Sequence, residues 1–346
     1  MAPKGIYIYG IVPNFYGTTH FQSLEHSGVY AITYENISAI VSDREGVQLD
    51  YLDRESLGYL LVHHQETIEI LMGKGFSMII PLRLGTIAGS KDEVINILAK
   101  GHDLIIDTLR KIEYLTEIDL AVTWADFAVT IKEIASHPEI AALRDAILKN
   151  SEQLTQADQM KVGMLIQEKL TEKNKQVELR ILEALSSCCI HVKMHDVMND
   201  QMVTNSAFLM NRNQKEKFEQ IIDQLDEELN GLMNFKMVGP LPCYSFYTLE
   251  VKELNLEKLM LAKIELGLRE ETSESEIKKA YLEKARLSHP DTNQHEGDDE
   301  LFNRINKAYH TMLEYASAVR QSSKDDSITL AKEKMIENLI LVKIKE

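Results

Sequence analysis

Cysteine is scarce in this 346-residue chain, and the three present, Cys188, Cys189 and Cys243, form no Cys-x-x-Cys pair. An odd number without that spacing argues against a disulfide framework and suits reduced, structural thiols in a cytosolic protein. Basic residues are also in deficit, 38 Lys and Arg against 54 Asp and Glu, for a formal charge of -16. A nucleic-acid surface needs basic stripes that displace counterions, so no nucleic-acid partner is expected. No apolar run reaches the length that spans a bilayer, and no signal-peptide core follows Met1-Ala2-Pro3-Lys4-Gly5. The expectation is a cytoplasmic protein with no membrane partner. Repeats of solenoid period and low-complexity tracts are missing as well. What remains, 44% hydrophobic and 27% charged residues over a length sufficient for two or three domains, is a globular composition.

The N-terminal part alternates strands and helices. Residues 5–12 carry Ile6, Tyr7, Ile8, Tyr9, Ile11 and Val12, a β-branched and aromatic run that reads as a buried strand. Residues 28–33 and 37–42 read as short strands joined by a Tyr34-Glu35-Asn36 turn. A helix over 55–72 is stopped by Gly73-Lys74-Gly75. A strand over 76–84, a loop over 85–90, a helix over 92–112 and a strand over 117–124 follow. Two helices packed on one face of a mixed sheet make residues 1–125 an α+β, ferredoxin-like domain.

From Phe127 to Ser187 the pattern is helical, interrupted at His137-Pro138. Val162, Leu165, Ile166, Lys169 and Leu170 predict a long amphipathic helix, with Val177 to Leu185 as its candidate partner in a hairpin. Strand character returns at 190–197 and 206–210. A helix over 214–230 turns Phe218, Ile221, Ile222, Leu225 and Leu229 inward and ends at Gly231. Strands at 235–238 and 244–251 flank Gly239-Pro240-Leu241-Pro242. Residues 126–252 therefore form a second α+β domain with long helices. The charged stretch Lys252 to Glu257 marks a boundary that should cut few core contacts.

Beyond it, Ser273 with Glu276 makes a capping box, and Ile277, Ala280, Tyr281 and Ala285 lie on one helical face. Pro290 disfavours a helical His289, which ends the helix, and the polar stretch 293–298 reads as a loop. A second helix presents Leu301, Phe302, Ile305, Ala308, Tyr309, Met312 and Leu313 on a matching stripe. Two antiparallel helices would then hold His289-Pro290-Asp291 at the loop tip. This segment resembles a J domain, the module that docks on Hsp70-type chaperones and stimulates their ATP hydrolysis. The resemblance implies an Hsp70 contact through His289, Pro290 and Asp291 with Lys278 and Lys279. It departs from the pattern at Leu282 and Glu283, where basic residues are common. Steering toward an acidic partner should therefore be weaker than usual. The J-like helical domain covers 253–320, and 321–346 forms a linker and tail. Residues 328–341 predict a helix, while 338–345 fit either a strand returning to an earlier sheet or the end of that helix.

A second resemblance covers residues 4–252. The blocks Tyr7-Ile8-Tyr9-Gly10-Ile11-Val12, Ile37-Ser38-Ala39-Ile40-Val41-Ser42-Asp43, His64, and Pro81-Leu82-Arg83-Leu84-Gly85-Thr86 come first. Ala207-Phe208-Leu209 and Val238-Gly239-Pro240-Leu241-Pro242-Cys243-Tyr244-Ser245-Phe246 follow in order. Together they resemble the gas vesicle protein L/F family, with mild departures at Leu84 and Cys243. The resemblance implies an accessory protein that binds the small hydrophobic shell protein and works with other gas vesicle accessory proteins. It makes Arg83, Gly85, Thr86, Gly239 and Pro240 family-motif positions and brings no catalytic residue.

Other constellations carry less. Arg83, at a strand end beside glycines, suits either an anion site or, preferably, a structural salt bridge. Gly85 to Lys91 has the wrong spacing for a phosphate loop. His191 and His195 share a strand face with Lys193, which disfavours a metal, and His63 and His64 point in different directions. Cys188-Cys189 fits packing better than ligation. The expectation is a non-enzyme without metal or cofactor: a gas vesicle assembly factor carrying a co-chaperone domain, located with the vesicle. The alternative is a minor structural or nucleation component whose helical domain binds something other than a chaperone.

Overall fold

Residues 6–12, all buried, lie in β1 (Lys4–Pro13) at the middle of a sheet. The computed structural model describes residues 4–14, 28–45, 53–150, 155–288, 298–322 and 327–345. They form two compact units, Met1–Glu113 with Tyr247–Glu346, and Tyr114–Phe246.

In the first unit β1 pairs antiparallel with β3 (Ile37–Glu45), and β3 with β2 (Val29–Tyr34). Glu35 turns that hairpin with φ +49°. On its other side β1 meets β4 (Ile80–Pro81) and β5 (Ile87–Ala88). The strand expected over 76–84 thus shrinks to two residues, with one further bond from Leu82 N–H to Tyr9 C=O at 3.0 Å. β5 in turn forms inside the stretch expected as a loop.

Helix α1 (Arg54–Gly73) begins where Asp53 accepts the Ser56 N–H and ends at Lys74, before Gly75 with φ +93°. Helix α2 (Lys91–Ile112) is capped by Ser90 and buries Val94, Ile97, Leu98, Ile105 and Leu109 at helical spacing.

The sheet continues into the C-terminal part. Leu82 forms a parallel bridge with Leu249, which places β10 (Thr248–Glu253) beside β4 and makes the sheet mixed. β10 pairs antiparallel with β13 (Ile340–Lys345) along its whole length, from Thr248↔Lys345 to Glu253↔Ile340. Of the two readings of the tail, the returning strand is the observed one. The helix expected over 328–341 is only α10 (Lys332–Glu337), preceded by β12 (Ile328–Thr329) paired with β11 (Glu271–Thr272). The charged stretch beginning at Lys252 lies partly inside β10, and Leu254 beyond it is buried with its N–H on Leu339 O at 2.6 Å.

Helices α7 (Leu256–Leu266), α8 (Glu274–Ser288) and α9 (Asp298–Ser322) complete this unit. They share a core of Leu259, Leu266, Ile277, Ile305, Met312 and Tyr315, closed by Leu330 and Leu341 from the tail. Each fully buried aliphatic side chain there is worth about 1.5–3 kcal/mol of transfer free energy.

The second unit is an antiparallel sheet in the order β7-β8-β6-β9, from β6 (Leu115–Trp124), β7 (His191–Met194), β8 (Met202–Asn211) and β9 (Met233–Leu241). One face packs Ile118, Leu120, Val122 and Trp124 against α5 (Gln156–Leu185) and α6 (Lys215–Glu228), through Ile181, Leu185, Phe218 and Ile222. Helices α3 (Phe127–Ala135) and α4 (Pro138–Asn150) pack on the first half of α5 through Ile134, Ile140 and Leu170. No hairpin divides α5: between Leu170 and Val177 stand Thr, Glu, Lys, Asn, Lys and Gln, with no Gly or Pro to break the helix. The observed class is the expected α+β. Among the described residues no helix is long and apolar enough to cross a membrane.

Candidate functional site

Helix α8 starts at the expected capping box. Glu276 N–H donates to Ser273 Oγ at 3.3 Å, and Ser273 N–H donates to the Glu276 carboxylate at 3.1 Å. Ile277 is fully buried, Tyr281 stacks on Tyr309 at 4.1 Å and 12°, and its hydroxyl donates to Asn306 Oδ1 at 2.6 Å. Glu274 at the start of α8 meets Arg320 near the end of α9 at 2.5 Å, so the two helices run antiparallel. The Lys284 ammonium donates to Glu265 C=O and Arg304 pairs with the Glu265 carboxylate at 2.6 Å, which ties α7 to both.

This packing leaves Lys278 and Lys279 exposed on the outer face, without an ion-pair partner among the described residues. Leu282 and Glu283 are exposed one turn later, so the basic patch stops at two residues. His289, Pro290 and Asp291 lie outside the described residues.

Arg83, Gly85 and Thr86 form one turn in the same unit. Thr86 donates to Arg83 C=O through its N–H at 3.1 Å and its hydroxyl at 2.6 Å. Gly85, with φ +81°, donates its N–H to Tyr7 Oη at 3.2 Å, and that hydroxyl lies 2.8 Å from His64 Nδ1. Burial pushes His64 down to about 4, so its ring is neutral at pH 7, and pushes the Tyr7 phenol up to about 12. His63 lies between Tyr59 and Tyr9, at 6.3 and 6.1 Å, and the His64 ring is 5.6 Å from the same Tyr9, so the two adjacent histidines share an aromatic neighbour despite their expected divergence.

Arg83 pairs with Glu250 at 2.5 Å, and Lys343 reaches the same carboxylate at 2.9 Å. Lys343 and then Arg83 hold Glu250 below the usual carboxylate range. A carboxylate of the chain itself therefore answers Arg83, the structural alternative of the two expected. At the start of α2, Ser90 Oγ accepts the Glu93 N–H at 3.2 Å and the Glu93 carboxylate accepts the Gly89 N–H at 2.7 Å. The stretch that mimicked a phosphate loop is capped by its own side chains.

Gly239 and Pro240 belong to the second unit. Gly239 has φ +151°, a Cβ on it would stand 3.0 Å from Glu117 C=O, and the peptide bond to Pro240 is cis. Beside them is a cluster that the sequence reading missed. Glu117 is 1% exposed, and Ser245 donates its N–H and its hydroxyl to the two carboxylate oxygens at 2.8 Å each. Lys193 Nζ donates to Ser245 C=O at 2.8 Å, and His195 Nε2 lies 3.2 Å from Ser245 Oγ.

Asp119, on the same strand face, has an oxygen buried without a hydrogen-bond partner. Burial first, then the Asp119 charge, push Glu117 up to about 8, and burial also raises Asp119. Two acids at i and i+2 in a strand share a face, the one signal that could have found the pair. Ser245 stands between His195 and Glu117, with its hydroxyl donating to the acid. His191 and His195 are exposed as expected, and among the described residues no group of three or more His, Cys, Asp or Glu could hold a metal. Cys188 and Cys189 lie with sulfurs 3.8 Å apart, Cys188 buried in the core of this unit, and burial pushes the Cys243 thiol up to about 12.

Comparison with known proteins joins these features. The family model described as gas vesicle synthesis protein GvpL/GvpF matches residues 5–248, and the DnaJ domain model matches 265–317. Gas vesicle protein F of Nostoc sp. (strain PCC 7120) is 23% identical over 246 residues, 70% of this chain and 98% of that protein. The protein of the same name from Dolichospermum flosaquae is 22% identical over 71% of this chain and 98% of its own length. Chaperone protein DnaJ of Limosilactobacillus fermentum is 45% identical over 47 residues, 14% of this chain and 12% of that protein. The crystal structure of GvpF from Anabaena sp. PCC7120 superposes with a TM-score of 0.58 at 22% identity, over 70% of this chain and 97% of that one, a likeness of fold. The matched blocks span both units and the helices after them in order: the chain belongs to the GvpL/GvpF gas vesicle family and carries a DnaJ domain behind the family fold.

Proposed function

We propose that this protein is a cytoplasmic assembly factor that binds the small hydrophobic gas vesicle shell protein and recruits an Hsp70-type chaperone through its DnaJ domain. It acts by binding rather than by catalysing a reaction, works alongside other gas vesicle accessory proteins, and is associated with the growing vesicle. The observation that carries the reading is one chain in which the family fold leads directly into capped, antiparallel α8 and α9 with Lys278 and Lys279 outward. A shell that holds gas must present a water-repelling face, so its free subunits expose apolar patches and sheet edges prone to aggregation. Holding such a subunit beside a chaperone's ATP cycle would keep it competent for assembly.

The short basic patch favours a second reading, in which the helices bind another protein and the chain is a minor structural or nucleation component. The two are separated by the ATPase rate of a cognate Hsp70-type chaperone. The full chain should raise it, and His289→Gln should abolish the stimulation while leaving the helical circular dichroism unchanged. Equal stimulation by both chains, or none by either, rejects the chaperone reading. Co-purification with the shell protein tests the other half, and its absence would reject shell binding.

A further inference from the structure

The family match ends at residue 248, the first of β10, but the sheet goes one strand further. From β10 the chain reaches the DnaJ match at 265–317 through Leu254-Asn255 and α7, and the half-exposed pair of Lys252 in β10 with Glu314 in α9, at 2.6 Å, is a weak further tie. β13 adds a more extensive connection. It pairs with β10 over all six residues. Its Val342 fills the notch at Gly101 of α2, where a Cβ would come within 2.8 Å of Val342 Cγ1. Gln321, near the end of α9, accepts the Val342 N–H at 3.1 Å and donates to the Val342 carbonyl. Lys100 of α2 donates to Glu337 C=O at 2.7 Å and to Asn338 Oδ1 at 3.2 Å. Glu250 lies between Arg83 of the family turn and Lys343 of the tail. One residue, Val342, thus touches a family helix by packing and a DnaJ-domain helix by hydrogen bonds.

We propose that residues 327–345 are a clasp, a positioning element that fixes the DnaJ domain at one place on the gas vesicle fold. Attachment through the tail removes the rotation that a short link and one exposed ion pair allow, and the chaperone is then delivered in constant register to the client surface. This rests on the assembly-factor reading for its purpose but not for its mechanics.

The test uses the full chain with spin labels on unnatural amino acids at Asp103 of α2 and Glu283 of α8, both exposed and neither in the proposed chaperone contact. A narrow distance distribution is expected for the unsubstituted chain. Val342→Asp, which buries a charge, and Gly101→Leu, which fills the notch, should each broaden it. Gln321→Ala, the mildest change, guards against misfolding and should broaden it less. Chaperone ATPase stimulation should be unchanged in all three, with vesicle yield in cells falling in order of the broadening. A distribution that stays narrow in every variant, or a full vesicle yield despite broadening, overturns the clasp. Absent ATPase stimulation in the unsubstituted chain counts against the chaperone reading alone, and the distances still decide the clasp.

Discussion

Glu117 keeps a proton at neutral pH because its site is closed to water and Asp119 shares the strand face. Its folded value of about 8 stands above the ordinary 4.5, so between these values the folded state binds the proton that the unfolded state releases. Its stabilising contribution is complete below the lower value and is lost as pH rises through the upper one, by at most about 1.4 kcal/mol per pH unit. Glu117→Gln should remove this slope: urea midpoints at pH 6 and pH 8.5 should differ for the parent chain and nearly coincide for the variant. His64 has the opposite sign, because a histidine held down near 4 costs stability as pH falls from 6.5. His64→Leu should therefore flatten the acid side of the profile of the first unit, while weakening it at every pH by removing the Tyr7 hydroxyl's partner. Gly239→Ala should destabilise by about 1–3 kcal/mol, given its positive φ and the close Glu117 carbonyl, and thermal melting checks this. At this scale the sequence named residues better than partners. Arg83 stood out, but Glu250 lies 167 positions away and no local pattern links them.

Elements whose signal is local were read well. α8 announced itself through Ser273 and Glu276, and α2 through its 3.6-residue stripe, because caps and amphipathic faces need no knowledge of the rest of the chain. Ser273→Ala should lower stability by about 1 kcal/mol, visible as a reduced urea midpoint with unchanged slope. Elements fixed by distant partners were ambiguous. The run Leu339-Ile340-Leu341-Val342 is nearly continuous in apolar residues and fits a buried strand or a helix equally. Only pairing with β10 settles it. The sequence of α5 suggests two paired helices because its stripe changes partner midway, from α3 and α4 to the sheet of its unit, without any change in the helix itself. The same long-range pairing bears on truncation. A fragment 1–252 ends inside β10, bares the β10 edge and empties the notch at Gly101. It should aggregate and show a lower melting temperature than a chain ending at 346, and equal solubility and melting of the two would contradict this.

For the whole molecule, the formal charge of -16 and a patch of two lysines set the character of any chaperone contact. An encounter steered by so few cations should lose little on-rate as salt rises, which stopped-flow measurements from low to physiological ionic strength can check. The two units also differ in how the chain enters them. The second is built from one uninterrupted stretch, Tyr114–Phe246, set between the two halves of the first. During synthesis it can emerge complete while the ribosome is still adding α9. The first unit has no such freedom, since the edge of β10 and the groove over Gly101 stay open until residues 340–345 emerge. Its completion is therefore a late event of high contact order. A ribosome stalled near residue 300 would carry a protease-resistant second unit and a first unit still open to cleavage. Gas vesicle module and DnaJ domain would then mature together, at the moment the tail strand leaves the exit tunnel.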